Sequence, residues 1–257
     1  MKTEGIKWAT VGLFVVSGLL WLLARFAGVD FLSGWAFVMS YAALAVGLAL
    51  APGVSGALVA PVRLLGLGFL FLALGELGWL TLFADGATGG NVLLPNLPYY
   101  ASNVVFSVAV VRIYNTGQNV FGFPSRWLWL SAAFALAVVA GLSAFNFDPT
   151  ALSFSFWTDF FNSVMGAFVT ILIVCTALLT LGGSWSSWMI PLAIGFGLRM
   201  AGDIYYTLTA STYAYGSLAD WLWLLGSTAI CLVVLRGQED AEVFEDHFAE
   251  QDTFAAD

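Results

Sequence analysis

Eight stretches of about twenty predominantly apolar residues follow one another along the chain: 8–25, 31–51, 62–84, 95–114, 126–146, 156–181, 187–209 and 217–236. A helix of that length matches the hydrocarbon thickness of a bilayer, and a helix satisfies its own backbone there. The spacing predicts an all-α integral membrane protein with eight transmembrane helices. Composition agrees, since 60% of the 257 residues are hydrophobic and 9% charged, against about one quarter charged in a soluble domain. Turn signals separate the stretches, among them Ala51-Pro52-Gly53, Asp85-Gly86, Gly122-Phe123-Pro124, Asp148-Pro149 and Leu181-Gly182-Gly183. The first stretch follows Lys2 and Lys7 as a secretory signal does. Its apolar run is longer than a signal needs and no Ala-x-Ala site follows, so it reads as a retained first helix.

Charge placement orients the spans. With eight of them both termini share one side, and Lys2, Lys7, Arg63, Arg112, Arg126 and Arg236 fall on it. Only Arg25 falls opposite, so both termini are expected to be cytoplasmic and the protein to be a multi-pass protein of the cell membrane. Residues 1–236 hold 8 acids and all 8 Lys and Arg, which makes the transmembrane domain neutral. The excess of −8 sits wholly in 237–257, an acidic tail with no base. Such a tail reads either as a disordered solubilising segment or as a docking motif, with Val243, Phe244 and Phe248 on one face of a short helix. Anionic lipid heads repel it. The partners expected are therefore membrane lipids around the spans and a cytoplasmic protein on the tail, with no nucleic acid. Two lysines in the whole chain are a compositional hint of a halophilic source.

The chain also repeats. Residues 68–79 read Gly-Phe-Leu-Phe-Leu-Ala-Leu-Gly-Glu-Leu-Gly-Trp and 195–206 read Gly-Phe-Gly-Leu-Arg-Met-Ala-Gly-Asp-Ile-Tyr-Tyr. Gly68, Phe69, Gly75 and Glu76 match Gly195, Phe196, Gly202 and Asp203. Each block is followed by a loop and a helix, one opening Leu97-Pro98-Tyr99-Tyr100 and ending at Arg112. The other opens Leu218-Ala219-Asp220-Trp221 and ends at Arg236. Two halves of about 8–114 and 126–236, four spans each, have parallel topology.

Residue types exclude several chemistries. Both lysines precede the first span, so no retinal Schiff base is available, and the single His247 lies in the tail. That removes bis-His haem, His-based metal sites and Ser-His catalysis from the interior. Cys175 and Cys231 sit in apolar runs as small hydrophobes. No paired Asp-x-x-x-Asp motif is present, and residues 200–203 read Met-Ala-Gly-Asp rather than Gly-x-Gly-Asp. Gly66, Gly68, Gly75, Gly78, Gly195, Gly197 and Gly202 open no phosphate-binding loop and are expected to let helices approach closely. Trp35, Trp79, Trp127, Trp129, Trp157, Trp185, Trp188, Trp221 and Trp223 fall near span ends, as an interfacial belt does. No metal or cofactor is implied.

What remains is a layer of polar groups in the outer half of the bilayer. Ionisable side chains inside spans mark functional sites by default. The layer holds Glu76, Tyr99, Tyr100, Asn103, Asp159, Asn162, Arg199, Asp203, Tyr206 and Asp220. These are the candidate ligand-binding residues of a pocket with Arg199 as its interior cation, suited to an anionic or polyol ligand. An intrahelical Arg199–Asp203 pair is expected, and Asp159 and Asp220 also suit helix N-caps.

The run Gly202-Asp203-Ile204-Tyr205-Tyr206, then Tyr213 and Tyr215, then Leu218-Ala219-Asp220-Trp221-Leu222-Trp223, resembles the multi-span membrane regions that precede diguanylate cyclase (GGDEF) and histidine kinase domains in microbial sensors. In those regions a Gly-Asp-x-x-Tyr span is followed by an Ala-Asp-x-x-Trp/Tyr span. The first half matches with Glu76 for the Asp, Trp79 for the Tyr and Tyr99 for the second Asp. The likeness covers about half of the chain. No cyclase or kinase domain follows Arg236, so the resemblance implies a sensory module that signals through a separate partner. The alternatives are a small-molecule or proton-coupled transporter using Glu76 and Asp203, and a lipid-modifying enzyme.

Overall fold

A computed structural model describes residues 2–50, 54, 56–81, 93–145, 154–209 and 217–236. The turn signals at 51–53, 85–86 and 148–149 and the tail 237–257 lie outside the described residues. The chain forms α1 (Lys2–Ala27), α2 (Asp30–Leu50), a short 3-10 turn (Gly56–Leu58), α3 (Val59–Thr81), α4 (Leu93–Phe121), α5 (Arg126–Phe145), α6 (Phe154–Leu179), α7 (Ser186–Thr209) and α8 (Leu218–Arg236). No strand occurs among the described residues.

Glycine sets two of the helix ends. Gly28 takes a φ of 66° after α1, and the Val29 amide reaches back to the Ala24 carbonyl at 2.9 Å. That is the left-handed cap a side chain resists. Gly122 does the same after α4, with a φ of 70° and its amide on the Gln118 carbonyl at 3.0 Å. Apolarity alone ends this helix at 114. It continues seven residues further, because Asn115, Thr116 and Asn119 are polar without breaking a helix and the stop comes only at the glycine.

Five helices, α1, α2, α3, α5 and α6, are long and apolar enough to cross a membrane. The apolar stretch of α8, Leu218–Val234, is shorter, and α4 and α7 are diluted by Asn103, Arg112 and Asn115 or by Arg199, Asp203 and their tyrosines. The fold is thus an all-helical, membrane-embedded one.

Helices adjacent in sequence pack side by side, except α4 and α5. Two further contacts, α4 with α6 and α8 with α2, close α2, α3, α4, α6, α7 and α8 into a ring. Short connections make neighbours antiparallel, so the ends of α3 and α7 and the starts of α4, α6 and α8 share one end of the bundle. α1 lies outside the ring on α2 and α8. There Trp21, fully buried, meets Trp221 edge to face at 4.5 Å. α5 lies outside on α6, where Ala135 and Val139 pack with Ala167 in a small cluster of their own.

Apolar side chains fill the ring. Phe69 on α3 and Phe196 on α7 meet across it at 6.4 Å, and Phe106 of α4 stands edge-on to both, at 5.1 and 5.2 Å. Leu65, Ile113, Leu172, Met189 and Leu192 are fully buried around them. In a membrane the gain is close packing rather than burial, which explains the glycines.

Candidate functional site

Residues seven apart share a face of a helix and stand about 10 Å apart along its axis. Glu76 follows Phe69 by seven, and Asp203 follows Phe196 by seven. The two carboxylates therefore lie above the two rings that meet inside the bundle, toward the same end of the ring.

A glycine seat positions each. A Cβ on Gly75 meets the Tyr99 ring at 2.7 Å, so the ring lies against α3 at this glycine. From there its hydroxyl hydrogen-bonds the Glu76 carboxyl. On α7 a Cβ on Gly202 meets the Trp223 indole at 2.7 Å, and the indole donates Nε1–H to Asp203 Oδ1 at 2.8 Å. One layer deeper, Phe106 fills the space a Cβ on Gly68 needs, and Ile230 fills that of Gly195. Gly195 also approaches the Gly226 carbonyl, at 2.8 Å from a built Cβ.

These seats correct the register expected from sequence. Aligning 97–100 with 218–221 sets Tyr99 against Asp220. In packing role Tyr99 answers to Trp223, and Phe106 to Ile230, both 124 residues on. Arg112 and Arg236 differ by the same 124. Trp223, expected in an interfacial belt, is a half-buried donor at the site instead. Gly78 and Gly197 were also expected at close helix contacts, but a Cβ on either meets nothing within 4 Å.

Arg199 is half-buried and lies on the interior face between Phe196 and Asp203. Its Nη1 donates to the Tyr41 hydroxyl at 3.1 Å and to Ser227 Oγ at 3.4 Å. The guanidinium also stands 5.0 Å from the Tyr41 ring centre and 5.7 Å from that of Phe69. Cation–π contacts of this kind are worth about 0.5–2 kcal/mol. The expected Arg199–Asp203 pair is thus replaced by bonds across to α2 and α8. The two charges remain electrostatically coupled, and Arg199 is coupled to Glu76 as well.

The other candidates take defined places. Asp220 is fully buried in the first turn of α8 and coupled to Glu76. Tyr206, 41% exposed, tilts against Trp223 at 5.8 Å. A second set ties α4 to α6: the Tyr100 hydroxyl donates to Asp159 Oδ1 at 2.6 Å, and Asn103 Nδ2 donates to Asn162 Oδ1 at 2.9 Å. Asp159 lies past the first turn of α6, whose start is Phe154, so its carboxylate bonds across helices rather than capping. Glu76 and Tyr99 on α3 and α4, and Arg199, Asp203, Tyr206 and Asp220 on α7 and α8, thus lie toward one end of the ring. Tyr100, Asn103, Asp159 and Asn162 form the α4–α6 seam.

Sequence reasoning missed Tyr41, Ser227 and Trp223 as site residues. Tyr41 carries the available signal, being the one tyrosine of α2, whose other polar side chains are Asp30, Ser33 and Ser40. Comparison of the chain with protein-family models, curated proteins and solved structures returns no match.

Proposed function

We propose that the chain is a non-enzymatic, eight-span sensory or accessory module that binds a small ligand at the Glu76–Arg199–Asp203 cluster and signals to a cytoplasmic protein. The observation that carries this reading is that two carboxylates and one arginine, each with a side-chain partner, stand above the apolar centre of the ring. Ionisable groups within membrane helices are costly, and a bundle that holds three of them in fixed geometry has a use for them. In this reading α4, α7 and α8 are spans too, with apolar side chains such as Val104, Val108, Ile194, Leu225 and Leu232 on their exposed faces. The halves are parallel repeats, and both termini are cytoplasmic. The tail at 237–257 is the docking segment. α4 joins the two ends: Tyr99 at the site, and Tyr114 at the far end, where its hydroxyl holds the Pro124 carbonyl at 2.5 Å. A shift of α4 on ligand binding therefore moves the α4–α5 connection. The test is the ligand response of Arg199→Ala and Asp203→Asn: both lose it if the reading holds, and an unchanged ligand and partner response in both removes it.

A transporter is the second reading. Carboxylates in matched places of two parallel halves suit a substrate site between them. Against it, Phe69, Phe106 and Phe196 fill the ring below the site. Substrate flux in proteoliposomes, abolished by Glu76→Gln, would establish it.

A further inference from the structure

The closest helix contacts fall within two sets of helices. In α1–α4, a Cβ on Gly66 of α3 meets the Ala45 carbonyl of α2 at 2.9 Å, and the Tyr99 and Phe106 rings of α4 fill the space at Gly75 and Gly68. In α5–α8, Gly195 and Gly226 bring α7 and α8 together backbone to backbone. Between the two sets the contacts are looser. On the α4–α6 seam a Cβ on Gly166 meets only the Asn103 amide, at 3.8 Å, an ordinary contact. Helices locked at glycines cannot slide without a clash, so each set moves as one body.

The seams between the sets change character along their length. Toward the site end, Tyr100–Asp159 and Asn103–Asn162 bonds join α4 to α6, and an Arg199–Tyr41 bond joins α7 to α2. Tyr100, Asn103 and Asn162 are half-buried and Asp159 is exposed. Water can therefore replace the α4–α6 bonds at small net cost. Toward the far end the same faces carry Val110 and Tyr114 of α4, seven past Asn103 and fourteen past Tyr100, and Val169 and Ile173 of α6, seven past Asn162 and fourteen past Asp159. All four are buried. At the far end of the α2–α8 seam a Cβ on Gly47 meets Val234 at 3.2 Å. Water does not replace packing of this kind.

We propose that α1–α4 and α5–α8 are two rigid bodies that hinge at the far ends of their seams and part at the end that carries Glu76, Arg199 and Asp203. The Tyr100–Asp159, Asn103–Asn162 and Arg199–Tyr41 bonds are the latch that holds this end closed. The device goes beyond the sensory reading and does not rest on it, since it needs neither a ligand at the cluster nor a partner on the tail.

The test is distance measurement between paired spin labels on the full-length protein in lipid nanodiscs, with Cys175→Ser and Cys231→Ala removing the native thiols. One pair, at Leu97 and Trp157, spans the α4–α6 seam at the site end; the other, at Val120 and Leu178, spans it at the far end. All four positions are exposed and none makes a latch bond. Tyr100→Phe with Asn103→Leu cuts both bonds between α4 and α6. The 97–157 distance is then expected to lengthen by more than about 2 Å, the scale of a domain rearrangement, while 120–178 stays as in the parent. An unchanged 97–157 distance, or any lengthening at 120–178, overturns the proposal. If the double variant does not fold, Tyr41→Phe, which cuts the bond from Arg199, decides by the same two distances.

Discussion

Trp223 lies with its indole on the backbone of Gly202 and its Nε1–H on Asp203, so a single side chain of α8 both closes the helix contact and fixes a carboxylate. Trp223→Phe keeps a ring on the glycine and removes the donor. The variant is expected to lose about 1 kcal/mol, the net value of one hydrogen bond. Thermal melts in detergent, with Asp203→Asn as the partner of a double-mutant cycle, measure it.

The glycines separate into two groups that a single substitution distinguishes. A Cβ on Gly195 meets the Gly226 carbonyl at 2.8 Å, and one on Gly226 meets the Gly195 carbonyl at 2.6 Å. Backbone cannot swing aside, so Gly195→Ala and Gly226→Ala are expected to cost about 1–3 kcal/mol as overpacking does. Gly197→Ala and Gly78→Ala meet nothing within 4 Å. These are expected to stabilise, by about 0.5–1 kcal/mol, because alanine favours the helix. The order of melting temperatures across the four variants is the measurement.

Arg199 bonds residues on two other helices, so its replacement is not local. Tyr41→Phe leaves the ring under the guanidinium and removes one acceptor, with an expected cost of about 1.5–3 kcal/mol for a bond to a charged group. Arg199→Lys loses more than its charge count implies, since the flat guanidinium stands over the Tyr41 and Phe69 rings while its Nη1 bonds Tyr41 and Ser227, and an ammonium on a different stem does not stack in that way. A double-mutant cycle of Arg199→Gln with Tyr41→Phe reads the coupling directly, and additivity would place the two groups apart.

At the other end of α4, Phe123 occupies the space that a Cβ on Gly117 requires. Tyr114 and Gln118 hold the carbonyls of Pro124 and Phe123 at 2.5 and 3.3 Å. Phe121 stands edge-on to Trp185 of the α6–α7 connection at 5.0 Å. Gly117→Ala is expected to displace Phe123 and expose the connection. Limited proteolysis near Ser125 should then be faster than in the parent protein, and Tyr114→Phe should show a smaller change of the same sign.

Much of this architecture is legible in the sequence, and the exceptions share a cause. Helix positions follow from apolar length, and the close contacts at Gly66, Gly68, Gly75, Gly195 and Gly202 follow from their place in apolar runs. Periodicity within one helix gives the shared face of Phe69 with Glu76 and of Phe196 with Asp203. It gives nothing about partners far along the chain, so Tyr41, 158 residues from Arg199, was not expected. The nearer Asp203 looked like the natural partner because a pair one turn apart is the local choice. The register of α8 against α4 was misread for a related reason: Asp220 and Tyr99 open similar helices, but the seat is set by which ring reaches the glycine. Tyr99 and Trp223 differ in size and donor atom and share only that position.

The most direct measurement of the central claim is purification from the native membrane in mild detergent, full-length and truncated after Arg236, with co-purifying proteins identified by mass spectrometry. The account predicts a stoichiometric partner that the full-length protein retains and the truncated form loses. No stoichiometric partner in either preparation would contradict it and move the function to transport.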